Sequence, residues 1–442
     1  MTDAPGTSTI GVRELLRIPD FRRLYLAQAI SDLGDGMTYL ALFLLVLDLT
    51  GSTAAIALMS ILVALPPVTI GLFAGAYADR HDRRRIMIVS DSIRAAVVIA
   101  MVLAARSDTL PALFALATLQ AVIGTFFAPA RTAMVPRLVP ADGLLAANSL
   151  SQATRMIAGV VGAGITGAIA AVAGNVSPVL LVDGATFLVS VLLVLGVTRT
   201  AGLPSAAAAA TAKATGIGSA VLEGLQVIRR SRPLVAALAG ISVVMLGTGA
   251  INVLFIPFLV DDLGASPAWA GPLEAAQTVS MIIAGGLVAT LALRVSVPRL
   301  FVGGIVGIAA CVGLMSIAPA PWALLLIMFA VGLFVMPVQA TTMTLVQQGT
   351  EDATRGRVAG ALNAAIQTAS IGSMAAAGIL ADVIGMRTVF AIGGAVALLG
   401  AAVAALLFRG TPVPVAGPSG RSSTGAGAAV AEAGGGDAVP AS

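Results

Sequence analysis

The sequence contains very little of the chemistry on which enzymes depend. Its 442 residues include one cysteine and one histidine. A single cysteine, Cys311, excludes an internal disulfide and any multi-cysteine metal or iron–sulfur site. A single histidine, His81, leaves almost nothing from which to build a histidine zinc site or a Ser-His-Asp triad. No G-x-x-x-x-G-K-[ST] sequence occurs, which argues against ATP hydrolysis through a phosphate-binding loop. We therefore expect no enzymatic activity, no metal and no cofactor.

Charged residues are also scarce. They make up 10% of the chain, against roughly a quarter in an ordinary soluble domain. Hydrophobic residues make up 58%, and the mean hydropathy is +1.00. Lys213 is the only lysine, so the high isoelectric point comes from arginine and carries no nucleic-acid signature. This composition predicts a polytopic protein whose main partner is the lipid bilayer.

Long apolar runs predict about twelve membrane-spanning helices, because roughly 20 apolar residues are enough to cross a bilayer. A polar, alanine-rich link at 199–232 divides them six plus six, which predicts an all-α polytopic membrane protein with two six-helix bundles, 21–198 and 233–408. A cytoplasmic N-terminal segment (1–20) and a disordered cytoplasmic tail (409–442) are expected around them. The predicted spans are 21–47, 53–78, 86–105, 110–136, 143–173, 178–198, 233–260, 267–293, 298–318, 320–346, 355–381 and 386–408.

The positions of the basic residues predict the orientation of these helices. Twenty of the 25 lysines and arginines fall on one side if both termini are cytoplasmic, and the other side has only Arg106 and Arg387. Basic loops stay in the cytoplasm. We therefore expect a multi-pass protein of the cell membrane with both termini inside, and no feature of the sequence requires more than a monomer.

The link between the second and third spans carries a distinctive pattern, Gly75-x-x-x-Asp79-Arg80-x-x-Arg83-Arg84. It resembles the signature loop of the major facilitator superfamily, with Asp82 where that family usually has glycine. Such loops gate one end of the transporter. The resemblance therefore implies a gating role for this stretch, in which Gly75 admits a neighbouring helix and Asp79 faces the start of the eleventh helix near Arg355 and Arg357. The gating residues so assigned are Gly75, Asp79, Arg80, Arg83, Arg84, Asp91 and Arg94.

Within that superfamily, two further stretches resemble the branch of macrolide efflux proteins and the enterobactin exporter. They are residues 31–35 (Ser-Asp-Leu-Gly-Asp) and 126–131 (Phe-Phe-Ala-Pro-Ala-Arg). The fifth span has glycines at 159, 162, 164 and 167, similar to the glycine motif of drug:proton antiporters, but with Ala163 in place of proline. Gln120 occupies the place of the family's buried arginine. The resemblance implies export of a small molecule, usually driven by protons.

The first span contains the strongest candidates for proton coupling. Asp32 and Asp35 share one helical face with Gln28 and Tyr39, and Asp35 lies about 20 Å from the start of the span at 1.5 Å per residue. An ionised carboxylate at that depth is costly, which makes these acids candidates for binding a proton. Arg155 is expected to be their counter-charge, although a permanent ion pair is an alternative. Glu274, in the eighth span, is a further candidate.

Polar residues in other spans are expected to complete a central substrate cavity, although several could equally be hydrogen bonds between helices. The predicted cavity residues are Gln28, Tyr39, Asn148, Gln152, Asn252, Gln277, Gln339, Asn363 and Gln367.

The sequence therefore predicts a secondary transporter that exports a hydrophobic or amphipathic small molecule, drug-like or macrolide-like, by proton antiport with alternating access. Its partners would be that small molecule and protons. One alternative is a siderophore or lysophospholipid transporter of the same fold, with or without proton coupling. A more remote alternative is a membrane sensor or scaffold that transports nothing.

Overall fold

The computed structural model describes residues 11–107, 109–203, 217–291, 294–350 and 352–409. Within these ranges the chain is helical and contains no strand, so the predicted all-α fold is confirmed. Every predicted span corresponds to one long helix. We number these helices α1 (Pro19–Thr50), α2 (Thr53–Arg80), α3 (Arg83–Arg106), α4 (Leu110–Leu138), α5 (Leu144–Ala173), α6 (Ser177–Leu195), α7 (Arg232–Pro257), α8 (Ala270–Leu291), α9 (Val297–Met315), α10 (Pro321–Gly349), α11 (Asp352–Ile384) and α12 (Met386–Phe408).

Eleven of these helices are long and apolar enough to cross a membrane in the part of the chain that the structure describes; α8 is the long helix outside that group. The turn between α1 and α2 is short and is capped on both sides. Gly51 ends α1 with a φ of 58°, a conformation that glycine adopts without strain. Ser52 then begins α2, where its hydroxyl accepts a hydrogen bond from the backbone N–H of Ala55 at 3.4 Å.

The two halves of the molecule pack their helices in the same pattern. In the first half, α1 contacts α5 and α6, α2 contacts α4, and α3 contacts α4 and α6. In the second half, α7 contacts α11 and α12, α8 contacts α10, and α9 contacts α10 and α12. The partners are the same when six is added to each helix number. This agreement is what two halves related by an internal repeat leave behind.

The central link contains helical structure that its composition did not predict. Its described part has a short turn of helix, Arg199–Gly202, and a longer helix, Ile217–Arg230. The longer helix packs on α11, and its Ile228 is fully buried. An apolar stripe on one face therefore anchors the link to the second half. Residues 204–216, the first ten residues and the predicted tail beyond 409 lie outside the described residues.

The two halves meet most closely at one end of the bundle. We call the end where α1 begins and α12 finishes the terminal end, and the opposite one the distal end. Near the distal end, the Thr53 hydroxyl hydrogen-bonds to the Asp382 carboxylate and lies 3.4 Å from the Gly378 carbonyl oxygen. A Cβ atom placed on Gly271 of α8 would lie 2.5 Å from the Cα atom of Gly164 of α5. Contacts α2–α11 and α5–α8 therefore close the distal end.

At the terminal end, one expectation for the signature stretch is wrong in this conformation, and a second one depends on residues outside the described part of the chain. A Cβ atom on Gly75 would have nothing within 4 Å, so no helix approaches it in this conformation. Asp79 pairs with Arg83 of its own loop at 3.6 Å. The side chains of Arg355 and Arg357 lie outside the described residues. The predicted contact of Asp79 with the start of the eleventh helix therefore stays a prediction.

Other residues of the signature stretch stabilise helix ends. The Asp82 carboxylate accepts hydrogen bonds from the backbone N–H groups of Arg84 and Arg85 and caps the start of α3. The buried Arg84 guanidinium donates to the carbonyl oxygens of Val194 and Leu195, at 3.1 and 2.5 Å, where α6 ends. A cation at a helix C-terminus satisfies carbonyl groups that have no partner in the helix. Asp82, which departs from the usual glycine, therefore has a structural role of its own.

We expect closure of the distal end to be detectable by cross-linking. In a Cys311→Ala background, the pair Thr53→Cys and Asp382→Cys should cross-link rapidly with a short bifunctional thiol reagent, because these side chains are hydrogen-bonded across the interface. The matched control replaces Asp382→Cys by Val383→Cys, whose position is 76% exposed. Equal yields from the two pairs, measured by mobility on a denaturing gel, would contradict the closed distal end.

Candidate functional site

A cavity of about 350 Å³ lies between the two halves. Helices α1, α5, α7, α8 and α10 form its wall, which is largely apolar and includes Phe43, Ile251, Phe255 and Met328. Four residues predicted from the sequence line it, namely Tyr39, Asn252, Glu274 and Gln277. An apolar wall with a few converging polar groups is typical of a small-molecule site.

Glu274 brings a carboxylate to this cavity from the second half. Its Oε1 atom lies 3.2 Å from the place that a Cβ atom of Gly159 would occupy, so the glycine makes room for it. Tyr39 faces the same space with 49% of its surface exposed, and its ring packs edge-on against Phe43 at 4.6 Å. The cavity therefore offers one acidic group, two amides and a phenol within an apolar enclosure.

The acids of α1 lie one and two turns below the cavity. Asp35 precedes Tyr39 by four residues and therefore lies on the same face of α1. Its carboxylate forms an ion pair and hydrogen bond with the Arg94 guanidinium of α3. The Asp35 side chain is 42% exposed whereas Arg94 is 6% exposed, and the Arg94 guanidinium also lies 4.1 Å above the Phe187 ring. A solvent-accessible carboxylate is thus paired with a cation that packing holds in place.

Asp32 pairs with a different cation. Its Oδ1 atom lies 3.4 Å from the Arg131 guanidinium of α4, and both side chains are largely buried. The other Asp32 oxygen has no hydrogen-bond partner among the described residues. Each acid of α1 therefore has its own arginine, and the Asp32 carboxylate keeps one oxygen without a hydrogen bond. A buried polar atom without a partner is costly.

These pairings correct the predicted partner of the two acids. Arg155 is exposed and forms no ion pair within the described residues. The reason is that α5 meets α1 through its glycines. A Cβ atom on Gly162 would lie 2.8 Å from the Met37 backbone nitrogen, so this contact leaves no room for an arginine between the helices. Asp91 and Arg94, which were predicted as gating residues, are both buried, and Arg94 pairs with Asp35, so their part in the gate stays a prediction.

The other predicted residues of α5 form an exposed polar stripe. Asn148, Gln152 and Arg155 are exposed, and the same face continues to Gly159 in the cavity wall. The stripe therefore leads from the terminal end to the cavity, and no contact of the described residues tests whether substrate follows it.

Besides Asn148 and Gln152, four predicted cavity residues do not line the cavity. Gln28 is buried and donates a hydrogen bond to the Ser151 carbonyl oxygen at 3.3 Å, so it joins α1 to α5. Gln339 and Asn363 are exposed and Gln367 is half-buried, all outside the cavity wall. Gln28 was misplaced because a shared helical face does not reveal which neighbour that face contacts.

One buried acid was missed by the sequence reasoning. Asp183 is the only charged residue in α6, and it is fully buried against α1. Its Oδ2 atom accepts a hydrogen bond from the Thr38 hydroxyl at 2.5 Å. A lone charge in the middle of an apolar span was a signal that could have found it.

Gly34 allows Asp183 to come this close, which gives a testable prediction. A methyl group at Gly34 would overlap both the Asp183 carboxylate and the Thr186 hydroxyl. We expect Gly34→Ala to destabilise the protein by about 1–3 kcal/mol, the usual cost of overpacking a core. The control is Gly71→Ala, whose new methyl would lie 3.9 Å from Thr125 in ordinary contact. Equal thermal-unfolding midpoints for the two variants would contradict this packing.

Comparison with known proteins places this geometry in a family. The profile of the Major Facilitator Superfamily matches residues 24–373 and 238–435. The multidrug efflux pump Tap of Mycobacterium tuberculosis is 27% identical over 394 residues, which cover 86% of this chain and 91% of Tap. An uncharacterized transporter, YfiS of Bacillus subtilis, is 28% identical over 385 residues, covering 85% of this chain and 90% of YfiS. Macrolide efflux protein A of Streptococcus pyogenes is 25% identical over 267 residues, covering 60% and 65%.

Solved structures agree on the fold. The nucleoside transporter NupG (D323A mutant) superposes with a TM-score of 0.73 at 13% identity, covering 88% of this chain and 99% of NupG. A bacterial homologue of the iron transporter ferroportin, in an inward-facing state, superposes with a TM-score of 0.70 at 15% identity, covering 89% and 98%. With the family profile spanning nearly the whole chain, this multi-pass membrane protein belongs to the Major Facilitator Superfamily of transporters.

Proposed function

We propose that this protein exports a hydrophobic or amphipathic small molecule in exchange for protons, by alternating access of the central cavity. The observation that carries the proposal is the position of the Asp35–Arg94 pair one turn below an apolar cavity that lies between the two halves. The relatives named as efflux pumps support the direction of transport.

The cavity favours substrates that are largely apolar. Aliphatic and aromatic side chains make up most of its wall, and Met328 adds a flexible side chain that adapts to different shapes. Glu274 is the one acidic group of that wall, so a substrate with a positive charge would gain an electrostatic contact there. The proposed substrate class is therefore a drug-sized amphipathic molecule, and cationic ones should bind best.

The geometry of the acid on α1 supports proton coupling. Asp35 is accessible while its cationic partner is buried, so a proton reaching the carboxylate competes directly with the ion pair. Protonation would remove one charge from the pair and free Arg94, which changes the contacts of α1 with α3. Since α1 also lines the cavity, proton binding and substrate binding would act on the same helix.

Alternating access also requires a cavity that is closed at one end, and the distal contacts meet this requirement. Glycines on α5 and α8 meet backbone to backbone, and α2 meets α11 through Thr53 and Asp382. In the proposed orientation the termini are cytoplasmic, the protein lies in the cell membrane as a monomer, and this conformation is open to the cytoplasm. Export requires the same contacts to break while the halves close at the terminal end.

A substitution that removes the charge of Asp35 tests its role in proton coupling. We expect Asp35→Asn to abolish substrate-driven proton movement in liposomes that contain a pH-sensitive dye, because an amide cannot take up a proton. The control is Asp48→Asn, which removes an exposed carboxylate from the other end of the same helix. Substrate movement without any proton signal in the wild type would contradict antiport and favour the alternative of an uncoupled siderophore or lysophospholipid transporter.

Two ligands that differ in charge test the role of Glu274 in the cavity. We expect Glu274→Gln to weaken binding of a lipophilic cationic dye about tenfold, equivalent to about 1.4 kcal/mol, and to leave an uncharged dye of similar size unaffected. Fluorescence titration of purified protein measures both. An equal loss for the two dyes would show that the substitution disturbs the shape of the cavity and that Glu274 does not select for charge.

A further inference from the structure

Asp183 is a buried acid that the proposed mechanism has not yet used. It lies in the middle of α6 with 0% of its surface exposed. Helix α6 packs against α1 and α3, with a few contacts to α5. The charged groups near this part of α6 are Asp35 on α1 and Asp91 and Arg94 on α3. Within the described residues, Asp183 forms no ion pair with any of them.

The hydrogen bonds of Asp183 are those of a neutral acid. The Thr38 hydroxyl donates to Oδ2 at 2.5 Å. The Thr186 hydroxyl has a single hydrogen, and the better acceptor for it is the Asp183 carbonyl oxygen at 2.7 Å. The Thr186 oxygen is then free to accept, and it lies 3.2 Å from Asp183 Oδ1. A proton on Oδ1 completes this arrangement, whereas an ionised carboxylate would receive one full hydrogen bond.

The charge balance of the surrounding cluster points the same way. Asp35, Asp91 and Asp183 share a single cation, Arg94, among the groups described in this cluster. Arg94 is bonded to Asp35 and lies 3.6 Å from Asp91, whose other oxygen accepts from the Ser190 hydroxyl at 2.5 Å. Asp91 and Asp183 are buried, so ionising both of them together with Asp35 around one guanidinium would leave uncompensated charge at buried positions, which proteins avoid by binding protons.

We propose that Asp183 is a second proton-binding site of the first half, which holds a proton on Oδ1 in the conformation closed at the distal end. Its place in transport rests on the proposed proton antiport. Thr38 follows Asp35 by one turn on α1, and Phe187, beneath Arg94, follows Asp183 by one turn on α6. Asp183 is therefore bonded to a hydroxyl one turn from Asp35, and Asp35 is bonded to a guanidinium that packs on a ring one turn from Asp183.

This arrangement allows one proton to serve two carboxylates. When Asp183 loses its proton, it becomes an anion and needs the cation, so Arg94 turns from Asp35 towards Asp183. Asp35 then takes up the proton that Asp183 has lost. The number of protons and the net charge of the cluster stay the same, and the O–H bond that breaks on Asp183 is replaced by one on Asp35. The exposed member of the pair, Asp35, exchanges the proton with solvent.

Infrared spectroscopy of substrate-free protein tests the protonation directly. Protein labelled with ¹³C-carboxyl aspartate should show, near neutral pH, the C=O stretching band of a protonated aspartic acid. We expect one component of this band to be absent in Asp183→Asn and unchanged in the control Asp48→Asn. A spectrum identical in wild type and Asp183→Asn would overturn the proposal.

Stability provides a second measurement. Above about pH 4, a buried neutral acid holds a proton that the unfolded chain has lost, so wild-type stability falls as the pH rises from about 4 until the folded acid ionises. In Asp183→Asn, the introduced side-chain amide would donate to Thr186 and accept from Thr38 in the same way. We therefore expect this variant to fold and to lose part of the pH dependence. Failure of Asp183→Asn to fold, or an unchanged pH dependence, would contradict a neutral Asp183. Both measurements omit substrate, so they decide this proposal even if antiport itself fails in liposomes.

Discussion

The first half of this transporter is organised around one buried cation. Arg94 is inserted between α1, α3 and α6, is held against the Phe187 ring, and is paired with the exposed carboxylate of Asp35. An uncompensated charge at that depth would be costly, so the guanidinium needs an anionic partner at all times. Asp35, Asp91 and Asp183 compete for that one charge. In the proposed mechanism, the protonation of these acids determines which of them Arg94 contacts.

The glycines of α5 connect α1 with the second half of the molecule. On one side, Gly162 brings α5 against the backbone of α1 next to the acids. On the other side, Gly164 and Gly167 bring the same helix against α8 and the turn before it. A single helix thus touches both α1, which carries Asp32 and Asp35, and the other half. Because these contacts are backbone to backbone, small shifts of α1 cannot be absorbed by side chains and should pass to the interface between the halves.

The sequence predicted the fold and the acids well, because both depend on local properties. Apolar runs of sufficient length determine the twelve helices, and Asp35 stands out in an apolar helix. It did not predict the partners, which depend on how helices are rotated and offset against each other. Arg155 looked suitable because α5 and α1 were expected to be neighbours. They are neighbours, but glycines fill the contact and leave Arg155 exposed, while Arg94 and Arg131 reach the acids from α3 and α4. Asp183 could have been found as the lone charge of α6, but Gly34, which admits it, has no recognisable signature.

The pairing of Asp35 with Arg94 is tested most directly by a double-mutant cycle on thermal stability, with Asp35→Asn, Arg94→Gln and the double variant. Each single change leaves a charge without its partner. The double variant should therefore lose less stability than the two single variants lose together, with a coupling energy of about 0.5–3 kcal/mol. The same cycle with Arg155→Gln in place of Arg94→Gln should be additive. Additive losses for Asp35 and Arg94, or coupling between Asp35 and Arg155, would contradict the arrangement on which the proposed mechanism depends.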